Sequence, residues 1–209
     1  MIKRKTLRPF FQLLVFSLAL ASCTKENLPP ESASPDQSVP NEYAEITMQD
    51  ESKIVIELFM GTVPITAQNF KKLVTEGFYD GLTFHRAVKG LIIQGGDPKG
   101  DGTGHADSSI QGEFASNGFD NPNKHVRGSV SMARSSDPNS ASCQFFICLD
   151  SYPVWDGDYA VFGKVVSGIE AAESMSNLDV IDDIFGEIAN KPIIKTIRII
   201  ENPTALLSK

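Results

Sequence analysis

Residues 84–98 read FHRAVKGLIIQGGDP, and this stretch does most to decide the fold. Polar and apolar side chains alternate in its two halves, which predicts short strands at Thr83–Arg86 and Leu91–Gln94. Because alternate residues of a strand point to one face, we expect Phe84 and Arg86 to lie on the same face. Taken alone the stretch does not indicate a function, since a single arginine on a strand is usually a solvated surface group.

Outward from this stretch, alternation predicts six more strands, and the helical spacing of apolar residues predicts two helices. The strands are expected at Tyr43–Met48, Lys53–Phe59, Gly128–Met132, Gln144–Cys148, Ala160–Val165 and Ile193–Ile200. The first helix begins at Pro64, a residue suited to a first helical turn, and the second covers Ile169–Leu178. The pattern predicts a mainly β fold, a closed eight-stranded antiparallel β-barrel capped by two α-helices.

Two further segments are informative, GSVSMAR at 128–134 and DPNSASCQFFI at 137–147. Strand alternation places Phe146 and Cys148 on one face. Cys143 precedes Cys148 by five residues in the same predicted strand, so the two thiols are expected on opposite faces and about 16 Å apart. That separation is too large for a disulfide, and we expect two free, largely buried thiols.

Together and in this order, the segments resemble the cyclophilin family of peptidyl-prolyl cis-trans isomerases. The motifs that carry the resemblance are FHR-x5-IxQGGDP, GSVSMA and QFFI, with DGDYAVFGKV at 156–165 and PITAQNF at 64–70. The likeness extends over about residues 45–200. It implies catalysis of rotation about Xaa-Pro peptide bonds in proline-containing unfolded or extended polypeptides. That rotation breaks no bond to carbon, so it needs no nucleophile, metal or acid–base pair.

The resemblance also implies roles for single residues. Arg86 matches the arginine that donates to the proline nitrogen, and Gln94 matches the glutamine that positions this arginine and meets the substrate carbonyl. These two are the candidate catalytic residues. The substrate-binding candidates are Phe84, Leu91, Ile92, Ala133, Gln144, Phe146 and Tyr159. No cofactor is expected, and His85, His105 and His125 lack the spacing of metal ligands.

The sequence departs from the family pattern at a few of its informative positions. Tyr159 stands where a histidine is common, and Arg134 stands where an asparagine is common. The tryptophan associated with cyclosporin binding aligns with Val154, one place before Trp155. We therefore do not expect strong inhibition by cyclosporin.

The N-terminus predicts export and lipidation. Residues 1–22 combine a basic head with the run FFQLLVFSLAL at 10–20, which is too short to span a membrane and fits a signal-peptide core. The LASC that follows at 20–23 resembles a bacterial lipobox, in which the cysteine is acylated and becomes the first residue. The alternative is an ordinary secretory signal cut near Ala21, with Cys23 incidental.

These features predict four parts: a signal peptide at 1–22, the lipidated Cys23 with a disordered proline-rich tether to residue 42, an isomerase domain at 43–203, and a tail at 204–209. We expect a monomer held in the cell envelope, at the membrane, by the lipid on Cys23. Thr24 is not the aspartate that retains proteobacterial lipoproteins at the inner membrane, which favours the outer membrane, facing the periplasm.

The charge excludes one class of function and leaves others open. The net charge is −7, and it becomes −11 without residues 1–22, whose charged side chains are all basic. Such an acidic chain does not fit a non-specific nucleic-acid binder. Two alternatives to the enzyme remain: a lipid-anchored peptide-binding module or chaperone with little turnover, and a barrel that holds a small ligand. The apolar strands indicate a packed interior, which disfavours the second.

Overall fold

The computed structural model describes Asp36, residues 38–182 and residues 184–203. The predicted signal peptide at 1–22, Cys23 and the tail at 204–209 lie outside these residues. The elements are β1 (Glu42–Met48), β2 (Lys53–Leu58), α1 (Pro64–Thr75), β3 (Thr83–Val88), β4 (Ile92–Asp97), β5 (Ser129–Met132), β6 (Phe145–Cys148), β7 (Ala160–Ser167), α2 (Ile169–Ser176) and β8 (Ile194–Ile200). Each lies close to its predicted bounds. Neither helix in this part of the chain is long and apolar enough to cross a membrane.

The eight strands form one antiparallel sheet in the order β3-β4-β6-β5-β7-β2-β1-β8. The sheet curls through 239° and stays open. The mainly β, eight-stranded fold with two helices is therefore confirmed, but the predicted closed barrel is not. Within the described residues, the edge strands approach each other through an isolated bridge between Thr83 and Ile193, just before β8. Further along β3, the backbone hydrogen-bonds with residues 186–188 instead, as in the bond from Ala87 N–H to Gly186 O. These residues occupy the edge that β8 would need for closure.

The main core is formed by one face of the sheet and by the buried sides of both helices. The helix α1 begins at Pro64, where the missing N–H group costs no hydrogen bond. Its buried residues recur at helical spacing and include Phe70. The Phe70 ring meets the ring of Phe145 edge to face, with centroids 5.3 Å apart. This packing fixes β6 against the helix.

A second, smaller apolar cluster lies on the opposite face of the same strands. Along β6, Phe145 and Ile147 belong to the main core, whereas Phe146 and Cys148 belong to the second cluster with Ile92 of β4. The partly buried residues packed against this cluster are Val88, Leu91, Ala133, Trp155 and Tyr159. Alternation along the strands therefore separates a structural face from a second face, and that second face carries the candidate site.

Both cysteines of the domain are buried and free. Cys143 lies just before β6 on the main-core side, and Cys148 lies at the end of β6 in the second cluster. Burial raises the pKa of Cys148 to about 12. At neutral pH this side chain is thus a thiol, and it behaves as a small apolar residue beneath the site.

Candidate active site

Three polar side chains form a line across neighbouring strands on the second face. Arg86 of β3 and Gln94 of β4 are paired in register, and the Arg86 Nη1 group donates to Gln94 Oε1 at 3.1 Å. The Gln94 Nε2 group donates in turn to Oε1 of Gln144, just before β6, at 2.9 Å. The Gln144 Nε2 group donates to the carbonyl oxygens of Gly104 and Gly102, at 2.8 and 3.1 Å. The three residues that the sequence singled out therefore lie together.

A second contact fixes the guanidinium of Arg86. Its Nε group donates to the carbonyl oxygen of Phe185 at 2.6 Å. Burial lowers the pKa of Arg86, but an arginine side chain stays protonated at neutral pH because its usual value is so high. The two bonds engage Nε and Nη1. Within the described residues Nη2 donates no hydrogen bond, so its N–H groups remain as donors for a bound peptide.

A cluster of apolar side chains, here called the apolar pocket, adjoins this line of polar groups. Its floor is formed by Ile92 and Phe146, which are both almost fully buried. Leu91, Ala133 and Tyr159 pack against them and stay partly open to solvent. These five residues were all predicted to bind substrate, and the structure brings them together beside Arg86 and Gln94. An apolar surface of this kind suits a compact ring such as that of proline.

A buried histidine supports the pocket floor from behind. The His125 ring stacks on Phe146, with centroids 6.0 Å apart and planes 12° apart. Its Nδ1 atom lies 3.0 Å from Asp156 Oδ1, and its Nε2 atom lies 3.1 Å from Ser131 Oγ. Burial lowers the pKa of His125, partly opposed by Asp156, so the ring is neutral at neutral pH. Among the described residues, no group of three His, Cys, Asp or Glu side chains is placed to hold a metal ion.

Two departures from the family pattern are in contact with each other. The Arg134 guanidinium lies over the ring of Tyr159, 4.7 Å from its centroid, and over the ring of Phe114, at 5.0 Å. The Nε group of Arg134 also donates to the carbonyl oxygen of Asp158 at 2.9 Å. A cation over two aromatic faces is stabilised by their negative charge density, so Arg134 holds Tyr159 against the pocket.

Phe84 lies in the main core and not in the site, so its predicted role in substrate binding is wrong. The pairing of β3 with β4 shifts register on both sides of Phe84, between Thr83 and Phe84 and again between Phe84 and Arg86. These bulges turn Phe84 into the main core, where it is fully buried and meets Phe145 with ring centroids 5.8 Å apart. Strict alternation placed Phe84 and Arg86 on one face, and the bulges separate them.

Two contributors to the site were missed from the sequence. Trp155 packs on Phe146 with ring centroids 5.5 Å apart, whereas the preceding Val154 is 67% exposed. Trp155 stands one place after the position of the family tryptophan, and this offset was the signal that could have indicated its part in the site. The carbonyl of Phe185 is 99 residues from Arg86 along the chain. Because every residue type carries a carbonyl, no side-chain pattern could have indicated that contact.

A polar cavity of about 670 Å³ extends the site beyond Gln144. Ala133 lines this cavity and also packs against the apolar pocket, and Gln94 and Gln144 line the cavity beside it. The opposite wall is formed by the glycine-rich segment at 102–107 and by residues near Arg134. The pocket, the line of polar groups and the cavity therefore adjoin one another on this face.

Comparison with known proteins identifies the family. The family model described as cyclophilin type peptidyl-prolyl cis-trans isomerase/CLD matches residues 43–202. The chain belongs to the cyclophilin family. Peptidyl-prolyl cis-trans isomerase B of Bacillus subtilis (strain 168) is 44% identical to it over 137 residues, which cover 66% of this chain and 92% of that protein. The peptidyl-prolyl cis-trans isomerase of Helicobacter pylori (strain J99) is 43% identical over 145 residues, which cover 68% of this chain and 84% of that protein.

Solved structures agree with this assignment. A crystal structure of a cyclophilin type peptidyl-prolyl cis-trans isomerase of Cryptosporidium parvum matches with a TM-score of 0.69 at 32% identity, covering 78% of this chain and 100% of that one. A structure of the same protein in the presence of the dipeptide Ala-Pro matches with a TM-score of 0.68. This cyclophilin is thus a peptidyl-prolyl cis-trans isomerase, and the geometry described above can be related to that reaction.

Proposed function

We propose that this cyclophilin accelerates rotation about Xaa-Pro bonds of unfolded or extended envelope proteins, with Arg86 as the donor that stabilises the twisted bond. The supporting observation is that two hydrogen bonds orient the Arg86 guanidinium, one to Gln94 Oε1 and one to the Phe185 carbonyl. The oriented guanidinium lies beside the apolar floor formed by Ile92 and Phe146. A donor fixed before the substrate arrives needs no reorganisation when charge develops.

Catalysis of this rotation benefits from a hydrogen-bond donor, because the proline nitrogen becomes an acceptor in the transition state. Amide resonance sets a barrier of about 18–20 kcal/mol to rotation in peptides. As the bond twists, the nitrogen becomes pyramidal and gains a lone pair that can accept a hydrogen bond. The guanidinium of Arg86 can donate to that lone pair and stays charged throughout. Gln94 orients Arg86 and, in the proposal, its amide also meets the substrate carbonyl.

The apolar pocket contributes by excluding water from the proline ring. Ile92 and Phe146 form the floor beneath the ring, and Leu91 and Tyr159 form its walls. Ala133 and Gln144 hold the flanking peptide at the edge of the polar cavity. A planar amide is well solvated in water, so partial desolvation disfavours the ground state. An acceleration of about 10⁵-fold requires a barrier lower by only about 7 kcal/mol, which a fixed cation and desolvation can supply.

The test compares three arginine substitutions in the chain from residue 23 onward, with Cys23→Ala to prevent lipidation. Arg86→Ala should lower kcat/KM on a short Xaa-Pro peptide by about tenfold or more. Arg86→Lys should recover little, since lysine lacks the planar fork that reaches two acceptors. Arg127→Ala is the matched control, because Arg127 pairs with Glu173 away from the site. Equal rates for the parent and Arg86→Ala would refute the role of Arg86. Failure of every variant to catalyse would favour the peptide-binding module.

We also propose that the enzyme is a monomer anchored by lipid on Cys23, in the outer membrane and facing the periplasm. The support is the sequence LASC at 20–23 after a basic head and a short apolar run. A tether between Cys23 and the domain suits an enzyme that acts on chains near a membrane. Cys23→Ala should abolish incorporation of radiolabelled palmitate. Labelling that persists, or a parent chain that is never labelled, would favour the ordinary secretory signal.

A further inference from the structure

Three large apolar side chains are exposed on one segment beside the site. The segment, here called the finger, comprises residues 179–182 and 184–189, between α2 and β8. Ile181, Ile184 and Phe185 are 65%, 85% and 71% exposed. Exposed apolar side chains scattered singly are normal, but a group of three on one short segment indicates a binding surface.

The backbone of the finger is held in place by hydrogen bonds. The Ile181 N–H donates to the carbonyl of Glu187 at 2.7 Å, which closes the finger on itself. Asp182 Oδ1 accepts from the N–H groups of Ile184 and Phe185, at 3.0 and 2.6 Å. The bonds from Ala87 N–H to Gly186 O (2.8 Å) and from Ile188 N–H to His85 O (2.9 Å) join the finger to β3. The side chains of Ile181, Ile184 and Phe185, here called the tip, are thus carried by a backbone that is bonded within the finger and to β3, which lowers the cost of ordering it on binding.

The tip adjoins the candidate active site directly through Phe185, and indirectly through Ile184 and Val88. Phe185 lines a cavity of about 460 Å³ together with Arg86 and Gln94. Ile184 lines a second cavity, of about 500 Å³, together with Val88. Val88 in turn packs against the pocket cluster that contains Ile92 and Phe146. A polypeptide that leaves the proline pocket on this side therefore meets the finger.

We propose that Ile181, Ile184 and Phe185 bind apolar side chains of the substrate polypeptide outside the Xaa-Pro pair. The inference rests on the proposed function, because it assigns the substrate class of the same site: unfolded segments in which apolar residues flank the proline. The acidic residues Asp179 and Asp182 lie on the finger itself, and the mature chain has a net charge of −11. This charge opposes docking of the tip on an anionic membrane surface and leaves an apolar polypeptide as the favoured partner.

The experiment uses the chain from residue 23 onward with Cys23→Ala, and the double variant I181S/I184S in the same background. Phe185 is retained, because its carbonyl contacts Arg86. Two peptides of about 12 residues, which span about 40 Å when extended, share one Xaa-Pro core and carry either Leu or Ser at the flanking positions. Their Kd values are measured by fluorescence anisotropy, and kcat/KM is measured on both peptides and on a tetrapeptide with the same core.

The parent should bind the Leu-flanked peptide about fivefold or more tightly than the Ser-flanked one, and I181S/I184S should lose that preference. Turnover of the tetrapeptide should be unchanged, because it is too short to reach the tip. The control Val166→Ser should behave as the parent, since Val166 is exposed on β7 and is separated from β3 by three strands. Melting followed by circular dichroism checks that all variants are folded.

Three outcomes would overturn the inference. One is a parent that does not distinguish the two long peptides, and another is a double variant that still does. The third is a different occupant: sedimentation of the parent as a dimer that the variant abolishes, or its binding to phosphatidylethanolamine–phosphatidylglycerol vesicles that the variant abolishes. Absence of turnover on the tetrapeptide would instead refute the proposed function, and the Kd values would still decide whether the finger binds apolar chains.

Discussion

Removal of the Gln94 side chain tests whether the line of polar groups positions Arg86. In Gln94→Ala the guanidinium loses the acceptor 3.1 Å from Nη1 and keeps the Phe185 carbonyl at 2.6 Å from Nε. A hydrogen bond to a charged group contributes about 1.5–3 kcal/mol. Arg86 and Gln94 are only partly buried, so we take the lower end of that range. A loss of about 1.5 kcal/mol in the transition state corresponds to a kcat/KM lower by slightly more than about tenfold.

The assay is prolyl isomerisation of a short Xaa-Pro peptide, with kcat and KM resolved separately. We expect most of the loss in kcat, because the Arg86 contact forms mainly in the twisted state. Gln94→Glu should be intermediate, since a carboxylate still accepts from Arg86 but cannot donate to Gln144. The matched control is Gln68→Ala, which removes a glutamine from the exposed side of α1. Full activity of Gln94→Ala, or a loss explained by a lower fraction of folded protein, would refute the reasoning.

Three further results are expected. Phe146→Ala should lower the free energy of unfolding by about 3 kcal/mol in denaturant titrations and also weaken peptide turnover, whereas an unchanged midpoint would show that the ring is not a packed floor. Gly186→Ala should lower kcat/KM by about tenfold in the peptide assay. Gly186 has a φ of 72°, and the Cβ of an alanine there would collide with the Ala87 carbonyl. The collision would displace the finger, and with it the Phe185 carbonyl that orients Arg86. Burial lowers the pKa of His85, so as the pH falls through about 6.5 the unfolded chain takes up the proton first and stability declines. The decline between pH 7 and pH 5, measured in urea, should be smaller in His85→Leu, and an equal decline would contradict this assignment.

Most secondary structure could be predicted because the apolar pattern is regular. The run Ile54–Ile56 in β2 and the helical spacing of Phe70 and Leu73 report directly on which side chains meet the core. The order of the strands in the sheet and its failure to close could not be read in this way. Closure depends on which segment reaches the free edge of β3, and residues 186–188 reach it before β8 does.

The candidate site shows where side-chain patterns stop being informative. Arg86, Gln94, Ile92 and Phe146 were found because a motif of residue types marks them. Phe84 was assigned to the wrong face, because a bulge shifts the register without a signature in the residue types beside it. The two omissions differ in origin. The one-residue offset of Trp155 is visible in the sequence, whereas the main-chain contact at residue 185 leaves no trace in residue type.

The contact between Arg86 and residue 185 is made by a backbone carbonyl, and this has a consequence for how the enzyme can diversify. Substitution at position 185 changes the side chain that a substrate polypeptide meets but leaves the carbonyl that accepts from Arg86 in place, provided that Gly186 keeps its positive φ. Natural selection can therefore alter which polypeptides the enzyme prefers by exchanging residues at the tip, while the guanidinium of Arg86 stays oriented. Exchanging the residues of the tip is, on this basis, a way to retarget the enzyme without rebuilding its chemistry.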